Sequence, residues 1–112
     1  MDCLFCKILA GEIPSNKVYE DEYVYAFYDI EPQAPVHFLV IPKVHIASAA
    51  EVTGENSLYV AKAYEAIAKI APTLGLENGF RVVANVGEDG LQTVQHLHFH
   101  VLGKRKMAWP PG

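Results

Sequence analysis

Residues 96–102 read His-Leu-His-Phe-His-Val-Leu, and nothing else in the 112-residue chain restricts its fold as tightly. Two kinds of side chain in strict alternation have the period of an extended strand, whose successive residues point to opposite faces. Leu97, Phe99 and Val101 therefore share one face, and His96, His98 and His100 share the other. The other face of such a strand is ordinarily just solvated. Three of the chain's five histidines in one register are a different matter, because imidazole near neutral pH can serve as nucleophile, acid, base or metal ligand. Alternate residues on a strand lie about 6.8 Å apart, so His96 and His100 are separated by roughly 13 to 14 Å and one zinc ion cannot readily hold all three rings.

The remaining pattern surrounds this strand with others. Lys17 to Glu20 and Tyr23 to Ile30 form two strands about the acidic turn Glu20-Asp21-Glu22, where Tyr and Val favour pleated structure. Pro32 and Pro35 interrupt before VHFLVIPK, a strongly apolar strand leading to Lys43 and His45. From about Asn56 to Leu74, the residues Val60, Ala63, Tyr64, Ile67, Ile70 and Leu74 recur at steps of three and four, which predicts an amphipathic helix. Pro72 should kink its last turn or end it early. Phe80 to Val86 is a further strand, and 87–90 a loop into the histidine row. Near the amino end, Asp2 can cap a short helix that Gly11 terminates. The order of elements predicts an α+β fold, an antiparallel sheet with its helices to one side, in a single domain over residues 1–112.

Charge and composition exclude some functions. Hydrophobic residues make up 51% of the chain and charged residues 20%, a globular balance rather than a disordered one. A net charge of −4 argues against a nucleic-acid partner, which needs a broad basic surface. The start Met1-Asp2-Cys3 lacks the charged and apolar regions of a targeting signal, and no apolar run reaches membrane-spanning length. The expectation is a cytoplasmic protein with no membrane partner. Cys3 and Cys6, three apart on the short helix, point their sulfurs the same way. Such a pair can be redox-active, metal-binding or incidental. The βαβ setting of a thioredoxin-type motif is missing, and a zinc site would need two further ligands, which His45 and one histidine of the row could supply.

The row His96-Leu97-His98-Phe99-His100-Val101-Leu102 resembles the motif of the histidine triad (HIT) superfamily. FYDIEPQAPVHFLVIPKVHI, GEDGLQTV and the terminal WPPG are in addition similar to the Hint branch, the histidine triad nucleotide-binding proteins, so that the likeness spans nearly the whole chain. It implies a five-stranded antiparallel sheet with a short N-terminal helix and one long central helix, and a homodimer joining two such sheets across a helix and a strand. It implies a hydrolase of purine nucleoside phosphoramidates, in which His98 becomes transiently linked to AMP, a carbonyl near His96 orients that ring, His100 and His45 donate to the phosphate or leaving group, and no cofactor is required. Cleavage of dinucleoside polyphosphates, or non-enzymatic sensing of nucleotide or zinc, are the alternatives.

By the same resemblance, Asn85, Gln92 and Thr93 contact phosphate beside Leu91 and the glycine-flanked loop, with Thr93 standing where serine is common. Phe5, Ile8, Ile13, Phe27 and Ile30 line the nucleoside pocket, Asp29 accepts from the ribose hydroxyls, and Tyr28 replaces a frequent histidine near the base. Trp109 reaches toward the partner subunit's site. Lys104-Arg105-Lys106 reads as a solvated charge run. Some bacterial relatives hold zinc with a set matching Cys3, Cys6, His45 and His96; a structural zinc of that kind would remove His45 from any role toward substrate.

Overall fold

Asp21 closes the first hairpin by accepting the backbone N–H groups of Tyr23 and Val24 on one carboxylate oxygen, at 2.8 and 2.9 Å. The strands it joins, β1 (Lys17–Glu20) and β2 (Val24–Tyr28), begin a five-stranded antiparallel sheet that continues through β3 (Val36–Pro42), β5 (Phe99–Gly103) and β4 (Phe80–Val83), in the order β1-β2-β3-β5-β4. The computed structural model describes residues 3–112. Two helices complete it, α1 (Leu4–Leu9) and α2 (Ser57–Thr73), with a 3₁₀ turn at Ala49–Glu51. No helix among the described residues is long and apolar enough to cross a membrane.

The helices do not share a side of the sheet. Ala63, Ala66, Ile67 and Ile70 of α2 are buried with Val24, Ala26, Phe38, Val40, Phe99 and Val101. Cys3 and Phe5 at α1 are buried instead with Phe27, Leu39 and Ile41, the alternate residues of the same strands. Hydrophobic periodicity identified α2 correctly, but it cannot say which face a six-residue helix covers. The strands VYAFY and HFLVIP carry apolar side chains on both faces, so each face needs a cover.

Both helix ends differ in detail from expectation. The N-cap of α1 is Cys3, whose sulfur accepts the Cys6 N–H at 3.3 Å; Asp2 lies outside the described residues. Gly11 does stand just past the helix, at φ 79°, where the N–H groups of Gly11 and Glu12 reach back to the carbonyls of Ile8 and Lys7. In α2 the helix runs through Pro72 to Thr73 and closes with Leu76 N–H on the Ala71 carbonyl at 2.9 Å. A proline so near the end costs one amide and leaves the closing bonds intact.

Candidate functional site

The histidine row crosses from loop into strand. Regular pairing starts only at Phe99, opposite Val40, so of the three rings only His100 stands in β5. Before that point β3 has ended at Pro42, and the incoming chain bonds instead to the segment beyond it, with Leu97 N–H on the Ile46 carbonyl at 2.6 Å. The alternation survives, because Leu97, Phe99 and Val101 all enter the core under α2. His96, His98 and His100 therefore lie on the α1 side. They are not a solvated face: His96 is fully buried and His98 is only 4% exposed.

Hydrogen-bond partners assign each ring a tautomer, since a carbonyl can only accept and a backbone N–H can only donate. His96 gives its Nε2 proton to the Pro42 carbonyl at 3.0 Å, which leaves its Nδ1 lone pair 3.4 Å from Cys3 Sγ and 3.6 Å from Cys6 Sγ. His98 gives its Nδ1 proton to the His96 carbonyl at 2.7 Å, which leaves the Nε2 lone pair free. His37 accepts the Gln33 N–H on Nδ1 at 3.0 Å, so its proton sits on Nε2 and is donated to His100 Nδ1 at 2.9 Å. His100 consequently carries its own proton on Nε2. Three rings in one row thus present a ligand lone pair, a nucleophilic lone pair and an N–H donor.

Low exposure does not seal off His98. Its Nε2 has no hydrogen-bond partner, yet no buried side-chain nitrogen or oxygen among the described residues lacks one. That nitrogen must therefore reach solvent. The ring is held from the side by Phe5, edge-on at a centroid distance of 5.1 Å. Asp29 lies across from it with Oδ2 at 3.4 Å from His37 Nε2 and 3.9 Å from His100 Nδ1, while the Glu31 N–H, 2.8 Å away, occupies Oδ1.

Burial is the largest influence on all four rings and lowers the pKa of His37, His96 and His98 below 6.5, with His100 lowered to about 4. They are neutral at pH 7, as the tautomer assignment requires. The unfolded chain protonates these rings near 6.5, so below that pH it binds more protons than the fold and stability falls with pH. His100 alone should cost roughly 3 kcal/mol between about pH 6.5 and 4, with His37 and His98 acting in the same direction. Thermal denaturation should show a steep fall in Tm from pH 7 to 4.5; a Tm constant over that range would contradict the buried neutral rings.

Cys3, Cys6, His45 and His96 form a second constellation, their ligand atoms all within 4.8 Å of one another. His45 Nδ1 lies 3.4 Å from Cys6 Sγ. Sulfur to nitrogen separations of 3.4 to 3.6 Å match the edges of a tetrahedron about one zinc, about 3.5 Å for Zn–S near 2.3 Å and Zn–N near 2.05 Å. The Pro42 carbonyl on the far nitrogen of His96 is the outer partner that a metal-bound imidazole characteristically has. Burial, and then the neighbouring Cys3, raise the Cys6 thiol above its ordinary pKa. These four residues, His45 among them, fit a zinc ion.

Other expected site residues fall into three groups. Phe5 and Phe27 are buried, their rings 5.5 Å apart, with Ile8 packed on them and Ile13 half-buried. Ile30, Leu91 and Trp109 stand open to solvent at 91%, 75% and 81%, with Tyr28 and Thr93 also exposed and Asn85 half-buried. Gln92 is committed elsewhere: its carbonyl accepts the Gly87 N–H, and its amide donates to the carbonyls of Ala47 and Val94 at 2.8 and 3.0 Å. Its side chain thus staples the 86–92 loop, in which the N–H groups of Gly87, Gly90, Leu91 and Gln92 are also taken up by bonds within the loop. That loop is tight, since a Cβ on Gly90 would sit 2.5 Å from the Val86 carbonyl oxygen.

His37 is hard to single out from sequence because it stands in the apolar run VHFLVIPK. The signal was available: a histidine on a buried strand must find a polar partner, and the register that pairs Leu39 with His100 puts His37 on the same face.

Comparison with known proteins agrees with this geometry. The chain is 50% identical to an uncharacterised HIT-like protein of Synechococcus elongatus over 99% of its own length and 97% of the relative's. It is 49% identical to a 14 kDa zinc-binding protein of Zea mays, covering 97% of this chain and 87% of that one. Among solved structures, a HIT family hydrolase from Legionella pneumophila superposes with a TM-score of 0.96 at 50% identity, over 99% of this chain and 100% of the other. A histidine triad nucleotide-binding protein from Candida albicans does so at 0.83 and 33%, over 99% and 85%. With the HIT domain model matched over residues 10–107, a span that holds all five histidines and the whole sheet, the chain belongs to the HIT domain family.

Proposed function

We propose that the protein is a nucleotide hydrolase of the Hint branch, acting at the α-phosphate of purine nucleoside phosphoramidates. The single observation that carries the reading is His98, a neutral imidazole with Nδ1–H tied to a backbone carbonyl and Nε2 open to solvent. That arrangement suits a ring that must attack phosphorus and become covalently linked. The names of the Legionella and Candida neighbours, a hydrolase and a nucleotide-binding protein, support it.

In the first step the Nε2 lone pair of His98 forms a bond to phosphorus as the bond from phosphorus to the amine breaks, and the amine leaves with a proton from water. In the second, water displaces Nε2, AMP is released and the ring recovers its lone pair. His100 contributes its Nε2–H to a phosphate oxygen. With its pKa near 4 it is a fixed hydrogen-bond donor at pH 7 rather than a reservoir of protons, the role a neutral imidazole plays as an electrophile elsewhere. Asp29, whose Oδ2 lies near His37 and His100, would accept from the ribose, and exposed Ile30 would offer apolar surface to the nucleoside.

Cys3, Cys6, His45 and His96 would hold zinc as a structural ion, clear of the reacting nitrogen. A metal there supplies a cross-link between α1 and the segment that carries His98. The name of the maize relative supports it. The reading also includes a homodimer, for which the outer edge of β4 and the exposed Phe80 and Tyr64 offer a surface; a one-chain mass in sedimentation equilibrium would remove it.

The covalent step is directly testable. Rapid mixing with an adenosine phosphoramidate, quenched in alkali where phosphorus–nitrogen bonds to histidine persist, should yield chains carrying one adenylyl group on the peptide that contains His98. Turnover without any such adduct, or an adduct on another residue, would overturn the assignment.

A further inference from the structure

The donor role of His100 depends on a choice between two tautomeric states of a ring pair. In one, His37 and His100 both carry their protons on Nε2, and His37 donates to His100 Nδ1. In the other, both carry them on Nδ1; His100 then donates to His37, and the Nε2 of His100 turns a lone pair toward the cleft in place of an N–H. The short contact of 2.9 Å between the rings is satisfied equally by either. Asp29 does not decide the matter sharply, since its Oδ2 is 3.4 Å from one of these nitrogens and 3.9 Å from the other.

What decides it is the Gln33 N–H, 3.0 Å from His37 Nδ1. In the second state two N–H groups would face each other there. Yet Gln33 is exposed and belongs to the loop between β2 and β3, so the direction of its N–H depends on what holds the peptide on its other side. Its side-chain amide caps the Glu31 carbonyl at 3.0 Å, a bond internal to the loop. The contact from a distant part of the chain is Arg105, whose Nε–H donates to the Gln33 carbonyl at 2.9 Å, 72 residues away in sequence. A second observation lies next to it. Lys104 has φ 67°, a left-handed conformation that is strained for a non-glycine residue. The chain thus makes a strained turn directly after β5, at the residue before Arg105.

We propose that Arg105 is a positioning residue which, by holding Gln33, sets the tautomer of His37 and thereby keeps an N–H of His100 directed at substrate. The catalytic consequence rests on the hydrolase reading above; the tautomers do not. The Lys104-Arg105-Lys106 run accordingly contains one residue with a defined internal task between two solvated neighbours.

Long-range proton–nitrogen correlation spectra of the ¹⁵N-labelled protein at pH 7 report which nitrogen of each imidazole bears its proton, without substrate. The native chain should show His37 and His100 protonated on Nε2 and His98 on Nδ1. In Arg105→Ala, His37 and His100 should shift together toward Nδ1 protonation while His98 stays unchanged, and Arg105→Lys, which keeps a donor, should recover part of the native signal. The kcat should fall at least about twofold with little change in KM, in proportion to the fraction of chains left in the donor state. Native tautomers for both rings in Arg105→Ala would overturn the proposal even if the enzyme is active. A tautomer shift in a chain that hydrolyses no phosphoramidate would leave the proposal standing and remove the hydrolase reading instead.

Discussion

Replacing His98 with alanine will lower turnover of an adenosine phosphoramidate by about 10⁴-fold or more, the scale on which an essential nucleophile is lost. The reason for so large an effect is that no other ring can stand in. The free lone pair of His96 faces two sulfurs, and its other nitrogen is bonded to Pro42. His100 offers a proton at Nε2 and uses Nδ1 to accept from His37, and His37 is occupied at both nitrogens. The substitution also opens a small void beside Phe5, so a stability loss of about 1 to 3 kcal/mol should accompany it. Denaturation of the variant separates the two effects, because a folded, inactive chain is the expected result. A folded variant that keeps a tenth of native turnover would eliminate His98 as nucleophile.

On the proposed structural zinc, stripping the ion should remove much of the stability of the amino-terminal region. The helix α1 has six residues, too few to persist on its own helical bonds, and it is held by Phe5 and by the sulfurs of Cys3 and Cys6 facing His45 and His96. Zinc at a hundred times its Kd stabilises the fold by about 2.7 kcal/mol. For a chain of this size that corresponds to roughly 11 °C in Tm. Metal analysis of protein purified with zinc should find one ion per chain, and a chelator or Cys6→Ser should lower Tm by that order. An unchanged Tm after complete metal removal would show that the four side chains pack without an ion. Activity should fall as well, since the carbonyl that orients His98 belongs to His96.

How far the sequence leads is clearest at the histidines. Alternation alone placed Leu97, Phe99 and Val101 in the core and all three rings opposite them, because strand period is a local property of the backbone. The span of α2 followed from its apolar spacing for the same reason. The face covered by α1 did not follow, since the strands beneath are apolar on both sides and only packing chooses between them. Gln92 shows the same limit: its residue type suits a phosphate contact, but its amide is spent on carbonyls of the loop and of Ala47.

By itself, then, the chain's order of residues determined which side chains share a face, where the long helix runs and which residue types stand ready for chemistry. Tertiary structure decided what each ring does. Tautomers are chosen by carbonyls and N–H groups contributed from elsewhere: Pro42 for His96, and Gln33, steadied by Arg105, for His37 and so for His100. A hydrogen bond between groups 54 or 72 residues apart leaves no periodic trace, because it depends on where the sheet brings two loops together and not on any pattern within either one.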